Sequence, residues 1–254
     1  MAVKAAVYLV GSTRSGTSAL RNAICETRYS GAGEGHFIGI LLRLHNAITT
    51  HYRLHAAALS EGTMLAKVPQ REMHMNVNNL YRQISAKYLP GDYVLDKTPN
   101  AEPLLAIQYI EQLWPVVRFI FCRRRGIDNV LSKQRKWPKK SFESHCREWV
   151  QMLDLWEAHS KNLKSPWLEI EFFNLENSMA EIAHRLGDFL ELEEDEVARM
   201  LQYLKTNRPQ GLSNPQSYCS LAETGWSEDQ IQMFIEICGR TMEKYNYGLV
   251  DYWN

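Results

Sequence analysis

Val7-Tyr8-Leu9-Val10-Gly11-Ser12-Thr13-Arg14-Ser15-Gly16-Thr17-Ser18-Ala19-Leu20 opens as an apolar, β-prone run, stops at a glycine and turns through small polar residues. Beyond the turn, Leu20, Ala23 and Ile24 recur at helical spacing. The stretch therefore predicts a strand, a short loop and a helix N-terminus. Unpaired N–H groups and the positive end of the helix dipole make such a loop an anion site. Gly11 and Gly16 have the spacing of the nucleotide-binding pattern Gly-x4-Gly-Lys-Ser/Thr, whose lysine reaches the β/γ-phosphates and whose hydroxyl holds Mg²⁺. Thr17 stands where that lysine belongs, and the cation of the loop is Arg14. The loop is thus poorly suited to ATP hydrolysis and better suited to another activated anion.

At 254 residues the chain is long enough for one large α/β domain. Hydrophobic residues make up 45% and charged residues 23%, and the formal net charge is zero. No global charge draws the chain to nucleic acid or to an anionic membrane. The five cysteines are scattered and form no Cys-x-x-Cys pair, which points to free thiols in a reducing compartment rather than to disulfides or zinc. Lys4 precedes only the short apolar run Ala5–Val10, less than a signal segment needs. No stretch approaches the ~20 apolar residues of a membrane span. The expectation is a soluble, cytoplasmic protein without a membrane or nucleic-acid partner.

Helices are expected over about 17–28, 38–59, 73–88, 142–162 and 228–245, with a further one carrying Ile182, Leu186, Phe189 and Leu190 inward. Strands are expected at Asp92–Asp96, Val116–Cys122 and Trp167–Phe172. Ser30–His36 reads as a flexible glycine-rich loop, and 207–226 as a long loop ending in Trp226 that closes as a lid. Each strand is separated from the next by helix, so the sheet is parallel and the fold an α/β, P-loop-like sheet flanked by helices. Ligands of such sheets sit at the carboxyl ends of the strands.

Three further groups of residues fall at or near those ends. Arg123-Arg124-Arg125 follows the strand at Val116–Cys122, and Ser132 lies eight residues beyond Arg124. Arginine suits phosphate because its planar fork stays charged at any working pH; a solvated basic turn is the plainer reading. Asp96-Lys97-Thr98-Pro99 places a lysine directly after a strand, and Gly33-Glu34-Gly35-His36 places two candidate proton acceptors in the loop after the first helix. His51 and His55 have i,i+4 spacing but no acidic partner of the His-Glu-x-x-His kind. The run Arg135-Lys136-Trp137-Pro138-Lys139-Lys140 reads as support for a phosphate or as a solvated face rather than as a nucleic-acid patch.

Taken together, the pattern resembles the sulfotransferases that use 3′-phosphoadenosine 5′-phosphosulfate (PAPS). Ser12–Ser18 resembles their 5′-phosphosulfate loop in the Arg-Ser-Gly-Thr form of bacterial and tyrosylprotein-type members. Cys122-Arg123-Arg124, Asp128 and Ser132 resemble the 3′-phosphate motif, and Leu168–Leu175 with Ile182–Leu190 the strand and helix that close the core. The resemblance implies that Arg14, Ser15, Gly16, Thr17 and Ser18 hold the 5′-phosphosulfate. It implies that Arg124 and Ser132 hold the 3′-phosphate, and that Lys97 faces the sulfuryl group and the leaving phosphate. Thr98-Pro99 replaces the histidine-bearing segment of cytosolic members, so the base is expected at Glu34, as in the tyrosylprotein-type branch, or at His36. The Arg-Lys-Gly motif of cytosolic members is missing from the expected lid.

The expected reaction is in-line transfer of a sulfuryl group to a hydroxyl or amine of a small metabolite, without a metal, leaving adenosine 3′,5′-bisphosphate. Segment 36–90, with Phe37, Tyr52, Tyr81, several histidines and few acids beyond Glu61 and Glu72, is expected to form much of the acceptor pocket. A P-loop-fold small-molecule kinase and a non-catalytic nucleotide-binding regulator are the alternatives, the first disfavoured by Thr17.

Overall fold

All seven residues of strand β1 (Ala5–Gly11) are buried, as an uninterrupted apolar run requires when helices cover both faces of a parallel sheet. The structure, a computed structural model, describes residues 3–60, 62–89, 91–207 and 218–254. The other strands are β2 (Tyr93–Lys97), β3 (Val116–Arg123) and β4 (Trp167–Glu171). They join β1 in one parallel sheet of order β2-β1-β3-β4.

Around the sheet lie α1 (Thr17–Ile24), α2 (Ile38–Leu54), α3 (Met64–Lys67), α4 (Gln70–Tyr88), α5 (Glu102–Leu105) and α6 (Ile107–Ile110). After β3 come α7 (Gly126–Lys136) and α8 (Phe142–Ser160). Beyond β4 follow α9 (Phe172–Asn177), α10 (Met179–Leu190), α11 (Glu194–Thr206) and α12 (Glu228–Lys244). The side-chain alternation of a strand divides the core in two. Tyr8, Val10, Phe119 and Phe121 meet Trp149 and Trp156 of α8 on one face. Val7, Leu9, Ile120 and Cys122 meet Leu20 of α1, Leu186 of α10 and Met200 of α11 on the other. This is the α/β, P-loop-like architecture expected from the sequence, a single domain.

The register sets the site. Leu9 pairs with Lys97, Gly11 with Cys122 and Arg123 with Glu171, so the carboxyl ends of β1, β2 and β3 reach one edge together. Among the described residues, no helix is long and apolar enough to cross a membrane.

Several elements differ from expectation. The expected helix 38–59 ends at Leu54 and is followed by a 3₁₀ turn at Ala56–Ala58, while α4 starts at Gln70, immediately after Pro69. Helix α11 was not expected. Its start is fixed by a capping box between Glu193 and Glu196, and Val197, Met200, Leu201 and Leu204 supply its apolar stripe. The glycine-rich loop is pinned along β2 rather than flexible: Ser30 N–H donates to Tyr93 O at 3.0 Å and Leu95 N–H to Ser30 O at 2.8 Å. Most of the expected lid, residues 208–217, lies outside the described residues, as does Glu61. Trp226, assigned to that lid, is instead packed against Phe142 and Phe234, with Nε1 donating to Gln134 Oε1 at 2.6 Å.

Candidate active site

The loop after β1 is held from below by a residue of α7. Asn129, fully buried, donates through Nδ2 to Thr13 O at 2.9 Å and to Ser15 Oγ at 3.0 Å. Its Oδ1 accepts from Ser12 Oγ at 3.4 Å. Arg14 has φ of 69° and Gly16 φ of 87°, a reversal that carries the chain into α1. A Cβ at Gly16 would also lie 2.5 Å from the Phe172 ring, so glycine is required there by conformation and by space. Helix α1 begins without a side-chain cap and without an acidic residue in its first turn, which leaves its dipole and N–H groups for an anion.

Arg14 Nε donates to Ser132 Oγ at 2.9 Å, and Arg124 Nη1 to Arg14 O at 3.2 Å. Arg124 lies over the Phe172 ring, 4.2 Å from its centroid. Burial, with the nearby charge of Arg124, lowers the Arg14 pKa below its ordinary value. Two guanidinium groups crowded at an open helix N-terminus form a site that an anion would relieve. Arg14, Gly16, Thr17, Ser18 and Arg124 line a cavity of about 460 Å³. The Ser15 side chain is turned inward to Asn129, and its N–H donates to Ser12 O at 3.2 Å. The loop groups placed at the cavity are thus those of Arg14 and Gly16–Ser18.

At the end of β2, Lys97 is buried and its Nζ donates to Glu34 Oε1 at 2.6 Å. Glu34 Oε2 lies 2.7 Å from His36 Nε2. The hydrogen bond from Lys97 holds the Glu34 carboxyl below its ordinary pKa, and His36 adds to the effect. Gly35 N–H donates to Lys97 O at 3.1 Å, and His36 N–H to Thr98 Oγ1 at 3.0 Å. Thr98 Oγ1 in turn donates to the buried Asp96 carboxylate at 2.9 Å. A Cβ at Gly35 would lie 2.0 Å from Asp96 Oδ2. The loop approaches β2 this closely because that position has no side chain.

Only the middle arginine of the triplet faces the loop. Arg125 is fully buried; it donates through Nε to Asp128 Oδ2 at 2.7 Å and through Nη1 to Asp251 O at 2.7 Å. Arg123 ion-pairs with Glu171 at 3.3 Å and with Glu169 at 3.5 Å. The triplet is therefore neither a uniform phosphate site nor a solvated turn: Arg123 and Arg125 hold the core, as does Asp128, whose Oδ1 accepts from Cys219 N–H at 3.3 Å. From Lys136 to Lys140 the basic run at the end of α7 lines another cavity, with Ser12 and Thr13, and does not join Arg124. His45 bridges α2 and α4, its Nδ1 lying 2.6 Å from His74 Nδ1 and its Nε2 2.8 Å from Asn78 Oδ1.

Asn129, Phe172, Tyr203 and Asn207 complete the loop support or the cavity wall and were not singled out from the sequence. An asparagine between the buried Asp128 and Val130 was the available signal for the first, and the unrecognised helix α11 hid the last two.

A sequence profile of the sulfotransferase family matches residues 6–196. Among solved structures, sulfotransferase STF9 from Mycobacterium avium aligns with TM-score 0.56 at 12% identity, over 98% of this chain and 79% of its own. The sulfotransferase domain from the curacin biosynthetic pathway gives 0.55 at 15% identity, over 98% and 100%. That of the Synechococcus PCC 7002 olefin synthase gives 0.52 at 14%, over 98% and 96%. At these identities the likeness is one of fold. No curated protein matches the chain in sequence.

Proposed function

The chain belongs to the sulfotransferase family, and on that premise we propose that it transfers a sulfuryl group from PAPS to a hydroxyl or amine of a small metabolite. The observation that carries this reading is the pairing of Arg14 with Ser132 and Arg124 at the uncapped start of α1. Arg14 and the N–H groups of Gly16–Ser18 hold the 5′-phosphosulfate. Arg124 and Ser132 hold the 3′-phosphate and so distinguish the donor from ADP or ATP.

Glu34 takes the proton of the acceptor hydroxyl or amine as its oxygen or nitrogen bonds to sulfur. The bond between sulfur and the 5′-phosphate oxygen breaks in the same displacement, and the electron pair leaves with adenosine 3′,5′-bisphosphate. Lys97 and Arg14 stabilise the negative charge that develops on that phosphate. No step calls for a metal, since fixed cations serve the leaving group. His36, against Glu34 at 2.7 Å, supports a second assignment in which the imidazole receives the proton and Glu34 orients it.

Incubation with ³⁵S-labelled PAPS and a panel of hydroxyl and amine acceptors tests the reading. Label is expected on an acceptor with stoichiometric release of adenosine 3′,5′-bisphosphate. Label that stays in the donor across the panel contradicts it.

A further inference from the structure

A cavity of about 850 Å³ reaches the loop at Ser12 and Thr13 and is bordered by Pro99 and Asn100 just beyond Lys97. It shares no lining residue with the cavity at Arg14 and Arg124. The loop thus borders both cavities, through Ser12 and Thr13 on one and through Arg14 and Gly16–Ser18 on the other. Helix α7 connects loop and cavity: Asn129 ties down Thr13 and Ser15, and Lys133, one turn later on the same face, lines the cavity.

The charges of this cavity are out of balance. Among the described residues, Lys133, Lys136, Lys139 and Lys140 line it against a single acid, Glu148. Lys133 is only 1% exposed, yet its Nζ stands 3.9 Å from Glu148 Oε2, beyond hydrogen-bond reach. Glu148 is shared with Lys140, which ion-pairs with its other oxygen. Among the described residues, no carboxylate pairs with Lys136 or Lys139. A buried ammonium is costly unless an anion accompanies it, and burial already pulls Lys133 down to about 8. Trp137, Pro138 and Met152 give the wall an apolar part, beside the uncharged polar Asn100 and Gln151.

We infer that the acceptor of this sulfotransferase is itself anionic: an apolar or aromatic hydroxylated molecule bearing a carboxylate or similar group, which the lysines of α7 and the following turn hold while Trp137 covers its body. The inference rests on the sulfotransferase reading and names the acceptor class of the same site. Among the described residues, none of segment 36–90 lines this cavity; Lys136 and Lys139 are its specificity-determining residues.

Calorimetric titration of the full chain, saturated with adenosine 3′,5′-bisphosphate, tests it with two matched pairs of probes. These are 4-hydroxyphenylacetate and 3-hydroxydecanoate, each set against its methyl ester. The acids are expected to bind about tenfold or more tightly than the esters, the scale of one charge-assisted hydrogen bond. In the variant Lys136→Ala/Lys139→Ala, whose substituted side chains are exposed, the preference is expected to vanish while bisphosphate affinity stays within about twofold. Equal binding of acid and ester, binding of neither acid, or an undiminished preference in the variant overturns the inference. Failure of the unaltered protein to bind the bisphosphate overturns the donor reading instead, so the two outcomes are distinct.

Discussion

Arg14 Nε donates to Ser132 Oγ across 2.9 Å, joining the loop after β1 to the helix after β3 at the point where Arg124 also reaches the loop backbone. The contact ties the proposed 5′- and 3′-phosphate sites together. Arg124→Ala is expected to weaken adenosine 3′,5′-bisphosphate by about ten- to a hundredfold, the scale of lost hydrogen bonds to a charged group. Ser132→Ala is expected to weaken it by about three- to tenfold. ADP, without a 3′-phosphate, is expected to respond to neither substitution by more than about twofold. Titration calorimetry on each variant with both ligands checks this, and equal losses for ADP and the bisphosphate would move Arg124 to the 5′ end.

Glu34 is expected to be dispensable for donor binding and needed for turnover. Glu34→Gln should lower kcat by about 10²–10⁴, the usual range for a general base, and leave bisphosphate affinity nearly unchanged. Lys97 and His36 hold the Glu34 pKa below the ordinary carboxylate value, and a base acts when deprotonated. Activity should therefore persist to a lower pH than for an ordinary glutamate. Lys97→Ala should move the acidic limb of kcat/KM upward. Turnover that survives Glu34→Gln but is lost in His36→Ala would assign the proton to His36.

Burial raises the Glu171 pKa to about 7 against the opposing influence of Arg123. Tyr247 Oη donates to its Oε2 at 2.5 Å, and Tyr252 Oη donates to its Oε1. A carboxyl raised in the folded state contributes stability that is fully present below its ordinary pKa and lost as pH rises through the folded value. This contribution is therefore expected at pH 4 and gone by pH 8. Urea midpoints between pH 4 and 8 should decline with rising pH less in Glu171→Gln than in the unaltered chain; identical slopes would remove Glu171 as the cause.

Gly35→Ala is expected to destabilise the chain by about 1–3 kcal/mol, the scale of overpacking, because the new Cβ would meet the Asp96 carboxylate. Displacing Gly35 from Lys97 O should also shift Glu34 away from Lys97 and reduce turnover. A Cβ at Gly33 meets nothing within 4 Å, so Gly33→Ala should change stability by no more than about 0.5 kcal/mol. Thermal melts of the two variants check the contrast, which disappears if the loop is as free as its composition suggests.

The strand, loop and helix at Val7–Leu20 were legible because periodicity and turn chemistry agree there locally. The placement of Lys97 and Arg124 beside that loop followed from parallel topology alone. What stayed hidden depended on tertiary partners. Arg123, Arg124 and Arg125 look alike in sequence, and only the contacts with Glu171, Phe172 and Asp128 separate their roles. The glycines of the 30–36 loop suggested freedom, whereas Gly35 is small so that the loop can lie against Asp96. The run Arg135–Lys140 read as support for a phosphate or as a solvated face, and its residues are exposed; nothing local shows that Lys133, two residues before it, is buried.

The most direct test of the central claim is calorimetric titration of the purified chain, without metal, with adenosine 3′,5′-bisphosphate and separately with ADP and ATP. The account predicts micromolar binding of the bisphosphate, with ADP and ATP weaker by tenfold or more, about the contribution of one charge-assisted contact. Tighter binding of ATP that requires Mg²⁺, or no preference for the 3′-phosphate, would contradict it.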